Sequence, residues 1–447
     1  MSDEKEHIPS ESTEDKPIEK GIGVTKSEQH LKHLCEDTFL SLWSYPNVFR
    51  DQDNGKEVCD LLVVFGNHII IFSDKECEFP KTDNLQQDWC RWFKRAIDGS
   101  IKQLSGAERW IKQYPDRLFL DQTCTQRFPV TLPDPASAKI HKVIVAHGAS
   151  ERCKKELVGK KRGSLILIPS IIGSQHYDAT STTDLKPFAI GQLAPGCGFL
   201  HVLDDTSLDL VLKTVDTISD FTDYLEKKEE FITSGQLGFA AGEEELLAFY
   251  CANYNPLEGH SFGGKENFVM IEEGFWDDYI SSPEWVSQNE ANKISYKWDT
   301  LIDLVGNHVL GKTLHHSSDT EFALHERRLR VMAQEPRTRR RALSIAMTEI
   351  CESEFKEGFS VRTIAPGKEG TSYVFMIMAR SEPLTSYRQT RQDYLAAYCM
   401  RAKLEYPDAS DILGIAFDTK DSLIQSEDIC SIRSDTWTVE HQKKQKK

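Results

Sequence analysis

The strongest constraint on the fold is a pair of short apolar runs near the N-terminus. The runs read CDLLVVF, starting at Cys59, and HIIIFSD, starting at His68, and Gly66-Asn67 joins them. Two apolar segments of strand length on either side of a tight turn predict an antiparallel β-hairpin. Because side chains alternate along a strand, Ser73 and Lys75 are expected on one face and Asp74 on the other.

Helical patterns flank this hairpin. The segment SEQHLKHLCEDTFLSLW, from residue 27, and the tryptophan-rich segment at residues 86–114 both repeat apolar residues at helical spacing. IHKVIVAHG and GSLILIPS predict further strands, and helix and strand patterns continue to alternate after Gly242. The sequence therefore predicts an α/β protein. A mixed sheet flanked by helices comes first, and further mixed α/β regions follow.

The length of 447 residues predicts two or three domains, since a domain averages about 150 residues. Residues 1–26 are polar and charged and are expected to form a disordered tail. Residues 27–238 form the first predicted domain. A mostly helical α/β region at 239–345, a C-terminal α/β region at 346–440 and a basic tail at 441–447 complete the prediction.

The cysteines and the hydropathy narrow the cellular setting. The chain has eleven cysteines without any CxxC pair, which argues against a disulfide framework or a zinc ribbon and favours reduced thiols. No apolar run approaches the ~18 to 20 residues that span a bilayer, and no signal peptide opens the chain. A cytoplasmic protein without membrane attachment is expected.

The net charge of -16 argues against general binding of polyanions. Contact with nucleic acid would need a local basic patch, and the residues after His325 supply one. Its candidate phosphate-binding residues are Arg337, Arg339, Arg340 and Arg341. The alternative is a solvated helix face on which these arginines pair with nearby acids.

The order of a helix, an acidic hairpin, a lysine and a second helix resembles the PD-(D/E)xK nuclease superfamily, especially its restriction-endonuclease-like and nuclease-related-domain branches. The resemblance covers roughly residues 30–115 and makes the first domain nuclease-like. It implies that Asp60 is the first acid and Lys75 the lysine of the motif, with Gln103 as a supporting residue on the following helix. Ser73 stands where the motif has its middle acid.

Hydrolysis of a phosphodiester in such a site uses a divalent ion, which offsets transition-state charge and lowers the pKa of the attacking water. Carboxylates suit Mg²⁺ or Mn²⁺, and the resemblance makes Asp60 the first ligand. Three residues could supply the missing acid: Asp74 turned inward by a β-bulge, then Glu57, then Glu36. Otherwise the site is degenerate.

The leading functional hypothesis is a metal-dependent endonuclease acting on DNA, placed by analogy in bacterial restriction or defence. The competing hypothesis is a degenerate nuclease fold that binds nucleic acid or a protein partner without catalysis, and homo-oligomerisation stays open. A weaker alternative is a serine hydrolase using Ser261 in GHSFG. That motif needs a strand before it and a helix after it, and the sequence predicts the reverse order.

Overall fold

The structure is a computed structural model that describes residues 16–178, 185–255, 259–263, 268–314, 322–353, 358–381, 383–422 and 426–433. The predicted basic tail at 441–447 and the first fifteen residues of the predicted N-terminal tail lie outside these ranges. The described chain is a mixture of helices and mixed sheets, so the predicted α/β class is confirmed.

The α-helices, numbered in chain order, are α1 (Lys26–Phe39), α2 (Leu85–Phe93), α3 (Gly99–Gln113), α4 (Ser150–Glu156), α5 (Ser207–Thr214), α6 (Ile218–Thr233), α7 (Glu243–Ala252), α8 (Phe275–Ile280), α9 (Pro283–Asn292), α10 (Tyr296–Leu310), α11 (Phe322–Ala333), α12 (Arg337–Cys351) and α13 (Leu384–Glu405). A π-helical turn at Lys94–Asp98 joins α2 to α3, and short 3₁₀ turns occupy Gly173–His176 and Lys293–Ser295. Within the described ranges, no helix combines the length and apolar character that crossing a membrane requires.

The strands are β1 (Ser44–Arg50), β2 (Lys56–Phe65), β3 (His68–Glu76), β4 (Leu118–Phe119), β5 (Lys139–His147), β6 (Ile166–Ile172), β7 (Ala189–Gln192), β8 (His201–Asp204), β9 (Leu237–Ala240), β10 (Tyr254–Asn255), β11 (Gly259–His260), β12 (Val269–Ile271), β13 (Phe359–Ile364), β14 (Thr371–Met378), β15 (Asp411–Asp418) and β16 (Glu427–Arg433).

The chain divides into two compact units. The first contains the described residues among 1–153, 171–208 and 303–326, and the second contains those among 154–170, 209–302 and 327–447. This division differs from the predicted first domain of 27–238, because α6 belongs to the second unit. There, Lys228 of α6 forms a buried ion pair of 2.5 Å with Glu243 of α7.

The first unit is built on a six-stranded sheet in the order β4-β1-β2-β3-β5-β8. Strands β1, β2 and β3 are antiparallel neighbours, so the predicted hairpin is formed, and β5 and β8 extend the sheet in parallel with β3. Phe39 of α1 packs against Phe72 on one face of β3. On the other face, Ser100 of α3 contacts Ser73. The central strands are therefore covered by a helix on each side.

A β-bulge interrupts β2 just before Asp60. Val48 of β1 pairs with Cys59, but the next residue, Phe49, pairs with Glu57, so Val58 is the extra residue of the bulge. A bulge of this kind changes which face the following side chains occupy. By this register, Glu57 lies on the same face of the sheet as Asp60, whereas strict alternation would place it on the opposite face.

The segment before α1 is ordered from residue 16, which corrects the predicted tail of 1–26. The half-buried side chain of Lys20 donates to the carbonyl of Ser44 at 3.0 Å, and its ammonium lies 4.6 Å from the ring centroid of Tyr45. Burial lowers the pKa of Lys20 to about 8. A carbonyl and an aromatic face thus hold a segment whose charged composition alone suggested disorder.

The second unit contains a four-stranded sheet in the order β13-β14-β15-β16. Strands β14 and β15 are parallel, and α13 connects them, while β13 and β16 pair antiparallel at the two edges. Elsewhere in this unit β9 pairs in parallel with β12 and antiparallel with β6. The core of the larger sheet consists of buried apolar residues of β14, α13 and β15.

Candidate functional site

Asp60 lies in β2, and its side chain is 4% exposed. One of its carboxylate oxygens accepts a hydrogen bond of 2.5 Å from the backbone N–H of Asp74 and lies 3.6 Å from the ammonium of Lys75. The other oxygen accepts from Gln103 Nε2 at 2.9 Å. Burial raises the pKa of Asp60, although these three donors act in the opposite direction. The structure thus brings together three of the predicted site residues: Asp60, Lys75 and Gln103.

Ser73, the residue in place of the middle acid, is fully buried beside this group. Its hydroxyl donates to Gln103 Oε1 at 3.1 Å, and Ser100 Oγ lies at the same distance. Gln103 therefore bridges Ser73 to Asp60 through the two ends of its amide. The serine serves to orient an amide that holds the first acid, and it supplies no metal-binding carboxylate.

The prediction that a bulge turns Asp74 toward Asp60 is wrong. Strand β3 keeps an unbroken register with β5 through Asp74, so the Asp74 side chain points away from the face that carries Asp60. Its buried carboxylate lies 2.9 Å from Nε2 of His147, whose Nδ1 lies 2.8 Å from Asp205. Burial lowers the pKa of His147, but the two carboxylates outweigh it and raise that pKa to about 10. Asp74 is therefore engaged by an imidazolium on the opposite face.

Glu57 is the candidate acid that the structure places on the face of Asp60, through the bulge at Val58. Its carboxylate accepts from Asn47 Nδ2 at 2.7 Å and is half-buried. Burial raises the pKa of Glu57, and the nearby negative charge of Asp60 raises it further. Lys75 acts in the opposite direction. Glu57 and Asp60 are thus two coupled carboxylates beside one ammonium.

Glu28 is a site residue that the sequence analysis missed. It lies in the first turn of α1, and its carboxylate oxygen is 3.4 Å from the same Asn47 Nδ2 that contacts Glu57. Its charge also acts on the pKa of Asp60 and of Glu57. The capping residue Thr25 followed by an acid three residues later was a visible signal, but such an acid usually serves the helix terminus. Its place beside Asn47 depends on the fold.

Glu36, the third predicted candidate for the second acid, lies elsewhere. It is on α1, where it forms an i,i+4 ion pair of 2.7 Å with Lys32. The neighbouring α1 residue Phe39 packs against Phe72, which belongs to the face of β3 opposite Ser73 and Lys75. The structure therefore gives Glu36 a helix-surface ion pair and leaves Glu57 as the better candidate.

Half of the predicted basic patch is a buried ion network, which corrects the assignment of Arg337 and Arg340 to nucleic-acid binding. Arg337 and Arg340 are 6% and 1% exposed, and both guanidinium groups contact Asp299 at 2.6 Å. Arg337 also pairs with Asp216 at 2.8 Å. The remaining two predicted residues are half-buried: Arg339 donates to the carbonyl of Ala365, and Arg341 donates to Asn292. Buried and paired arginines cannot contact a phosphate backbone.

Ser261 does not lie in a nucleophile elbow. It follows β11, the second strand of a short hairpin with β10, and its hydroxyl accepts a 3.4 Å hydrogen bond from Gly263 N. The neighbouring His260 directs Nδ1 to the carbonyl of Cys251. A nucleophilic serine needs a base positioned on its hydroxyl, and His260 is engaged elsewhere through this nitrogen.

Carboxylates also gather in the second unit, away from any predicted residue. Ligand oxygens of Glu244, Glu245 and Glu273 lie within 4.8 Å of one another. Glu245 accepts from the backbone N–H groups of Gly274 and Trp276, and Lys160 lies 3.2 Å from Glu273. These contacts give the group a structural role at the start of α8. In the described ranges, Asp60 does not belong to a comparable group of three ligands.

Known proteins add no relative to this picture. No protein-family model matches the chain, and no curated protein or solved structure matches it significantly.

Proposed function

We propose that the chain is a metal-dependent nuclease that hydrolyses phosphodiester bonds, with DNA as its substrate and the site around Asp60 as its active centre. The observation that carries the proposal is the convergence of Asp60, Lys75 and Gln103 on the central hairpin, with Glu57 on the same face. Glu57 is assigned the role of the missing second acid. In this proposal an acid of β2 replaces the one that the motif would have at Ser73 of β3.

The donor set fits a hard divalent ion. The charge of Glu28 raises the pKa of Glu57 and of Asp60, the charge of Asp60 raises that of Glu57, and Lys75 lowers both, so this group of four residues is acidic overall. Mg²⁺ prefers oxygen ligands and usually keeps several waters, so two carboxylates are enough to hold it. Bound there, the ion would supply a water of lowered pKa and offset charge on the phosphoryl oxygens.

The protein's own groups have separate tasks in this proposal. Gln103 and the Asp74 N–H fix the orientation of the Asp60 carboxylate. Lys75 has a side chain that is 33% exposed, so its ammonium can reach a substrate phosphate and stabilise the charge that develops on it. Glu57 is only half-buried and can accept a proton or orient a water.

The test is incubation of the protein with plasmid and linear DNA in Mg²⁺ or Mn²⁺. The variants are Asp60→Asn, Lys75→Met and Glu57→Gln, and Glu36→Gln is the matched control because it removes a predicted acid that the structure places elsewhere. Each of the first three is expected to reduce cleavage by about 100-fold or more. Glu36→Gln is expected to cleave like the wild type. Calorimetric titration with Mn²⁺ measures ion binding independently, and Glu57→Gln is expected to weaken it.

Two results would contradict the proposal. One is that the wild type cleaves neither DNA form in either metal. The other is that Glu57→Gln and Glu36→Gln cleave equally, which would remove Glu57 from the site and leave Asp60 without a partner acid.

One observation favours the second candidate, a degenerate nuclease fold that binds without cleaving. Both oxygens of Asp60 already accept hydrogen bonds from protein donors, as expected for a carboxylate that has become structural. This candidate predicts no Mn²⁺ binding and no cleavage, together with DNA or protein binding that Asp60→Asn leaves unchanged. The calorimetric titration separates the two candidates without relying on activity.

A further inference from the structure

Two thiols lie on facing elements of the C-terminal sheet in the second unit. Cys399 is a buried residue of α13, and Cys430 is a half-buried residue of β16. The antiparallel register pairs Cys430 with Gly414 of β15, so the two residues share a face of the sheet. A Cβ placed on Gly414 would lie 2.4 Å from the sulfur of Cys399. Both thiols are therefore on the face that α13 covers.

Gly414 is what allows α13 to approach the sheet this closely. A side chain there would also meet Leu395 of α13 at 2.9 Å. Close approach matters because a disulfide requires the two Cα atoms to be within about 7 Å. A helix held at the usual distance by a larger residue on β15 would place the two sulfurs less favourably.

The surroundings make the two thiols unequal. The interaction between the two thiols lowers the pKa of Cys430 and raises that of Cys399. Burial raises the pKa of Cys430, whereas the guanidinium of Arg328 lowers it further. Arg328 contacts Ser431, the next residue of β16, at 3.3 Å. Because the thiolate is the nucleophile, Cys430 is the more reactive partner and Cys399 supplies a nearby protonated thiol.

We propose that Cys430 and Cys399 form a peroxide-reactive pair that closes into a disulfide between β16 and α13. The Cys430 thiolate attacks one oxygen of a hydroperoxide, the O–O bond breaks, and a sulfenic acid and a hydroxide or alkoxide form. The sulfur of Cys399 then attacks the sulfur of Cys430 and loses its proton, and the sulfenic oxygen leaves as water. The hydroperoxide is the oxidant and takes two electrons from the two thiols. This inference is independent of the proposed nuclease activity.

Cys351 provides the internal comparison. It is a half-buried cysteine of α12 in the same unit, and burial raises the pKa of its thiol. Exposure alone would make Cys351 and Cys430 similarly reactive. The neighbouring thiol of Cys399 and the charge of Arg328 lower the pKa of Cys430, and Cys351 has neither neighbour.

The test is treatment of the full-length protein with hydrogen peroxide, followed by alkylation and peptide mass spectrometry. In the wild type we expect a cross-link between the peptides of Cys399 and Cys430 that forms at least ten times faster than any modification of Cys351. Cys399→Ala is expected to accumulate a sulfenic acid on Cys430, which dimedone traps. Gly414→Ala is expected to slow closure of the disulfide while leaving sulfenic acid formation on Cys430 in place.

The variants are checked for folding by circular dichroism, and the wild-type measurement does not depend on them. The proposal is overturned if peroxide yields no Cys399–Cys430 cross-link in the wild type. It is also overturned if Cys430 reacts no faster than Cys351, because its surroundings then give Cys430 no additional reactivity. A cross-link that Cys430→Ser fails to abolish would assign the bond to another pair.

Discussion

Each unit of the protein contains a group of charged side chains around an arginine pair or around Lys75, and the two groups differ in how well their charges balance. In the second unit, Arg337 and Arg340 face Asp216 and Asp299, so two cations meet two anions. In the first unit, Lys75 is the ammonium among Glu28, Glu57 and Asp60. A balanced buried network is tied to the fold, because removing one partner leaves an uncompensated charge. The acid-rich group keeps an excess of negative charge.

The largest expected effect comes from unbalancing the second unit. Asp299→Asn removes the anion that two buried guanidinium groups share, and we expect a loss of about 3 to 5 kcal/mol of unfolding free energy. Urea denaturation measures it. Asp393→Asn is the control, because Asp393 is exposed and accepts a 3.0 Å hydrogen bond from Gln389 on the same helix. Equal midpoints for the two variants would show that the buried network does not hold the unit together.

The charged imidazole of His147 lies between Asp74 and Asp205 and is expected to stabilise the first unit, as the arginine pair stabilises the second. The pKa of His147 is raised from 6.5 to about 10, so its contribution to stability is fully present below about pH 6.5 and is lost as pH rises through about 10. His147→Gln is expected to cost about 3 kcal/mol at pH 8 and almost nothing at pH 11.

Unfolding midpoints of wild type and His147→Gln between pH 6 and pH 11 measure this difference. His308→Gln serves as the control, since His308 is exposed and contacts a threonine. A difference between wild type and His147→Gln that does not change with pH would contradict a charged imidazole in the folded protein.

Glu335 is an acid of the second unit that the network does not neutralise. It is fully buried, it accepts from the hydroxyl of Tyr373 at 3.0 Å, and burial raises its pKa to about 7. A raised carboxyl pKa means that the folded state holds the proton more tightly, so stability falls as pH rises from about 4.5 to about 7. Glu335→Gln is expected to gain about 3 kcal/mol at pH 8 and almost nothing at pH 4.

Denaturation of wild type and Glu335→Gln at the two pH values measures the gain. Glu349→Gln, which changes an exposed partner of Arg362, should show no such dependence on pH. A loss of stability for Glu335→Gln at pH 8 would mean that the carboxylate is balanced after all.

The smallest effect is expected at the acid-rich group and, as for Glu335→Gln, it is a gain in stability. Glu57→Gln keeps an oxygen for Asn47 and removes one of the coupled negative charges, so the unfolding free energy should rise by about 1 kcal/mol. Mg²⁺ at about 10 mM should stabilise the wild type and leave Glu57→Gln nearly unchanged, because a ligand stabilises only the state that binds it. A loss of stability without metal would place Glu57 in a structural network like that of Asp299.

Much of the first unit followed from the sequence because its signals are local. Two apolar runs with a tight turn give the hairpin, and Asp60 and Lys75 meet because they flank it. Gln103 was expected near the site from the family resemblance, and its amide does contact Asp60.

The sequence did not predict the position of the second acid or the burial of the arginine cluster, for two different reasons. The choice between Asp74 and Glu57 depends on a register shift that no residue pattern announces. The arginines looked like a surface patch because their partners are far away in sequence, with Asp216 separated from Arg337 by 121 residues. Long-range ion pairs are invisible to an analysis that compares neighbours along the chain.

The bulge at Val58 has a consequence for how such proteins can diverge. One inserted residue exchanges the two sides of a strand for everything beyond it, so a carboxylate can be transferred between sides without any substitution. Two chains that differ by one residue just before position 60 would thus carry the carboxylate of position 57 on opposite sides of the sheet. A comparison that counts fixed spacings would miss this relation, whereas an alignment that permits a one-residue gap before Asp60 would detect it.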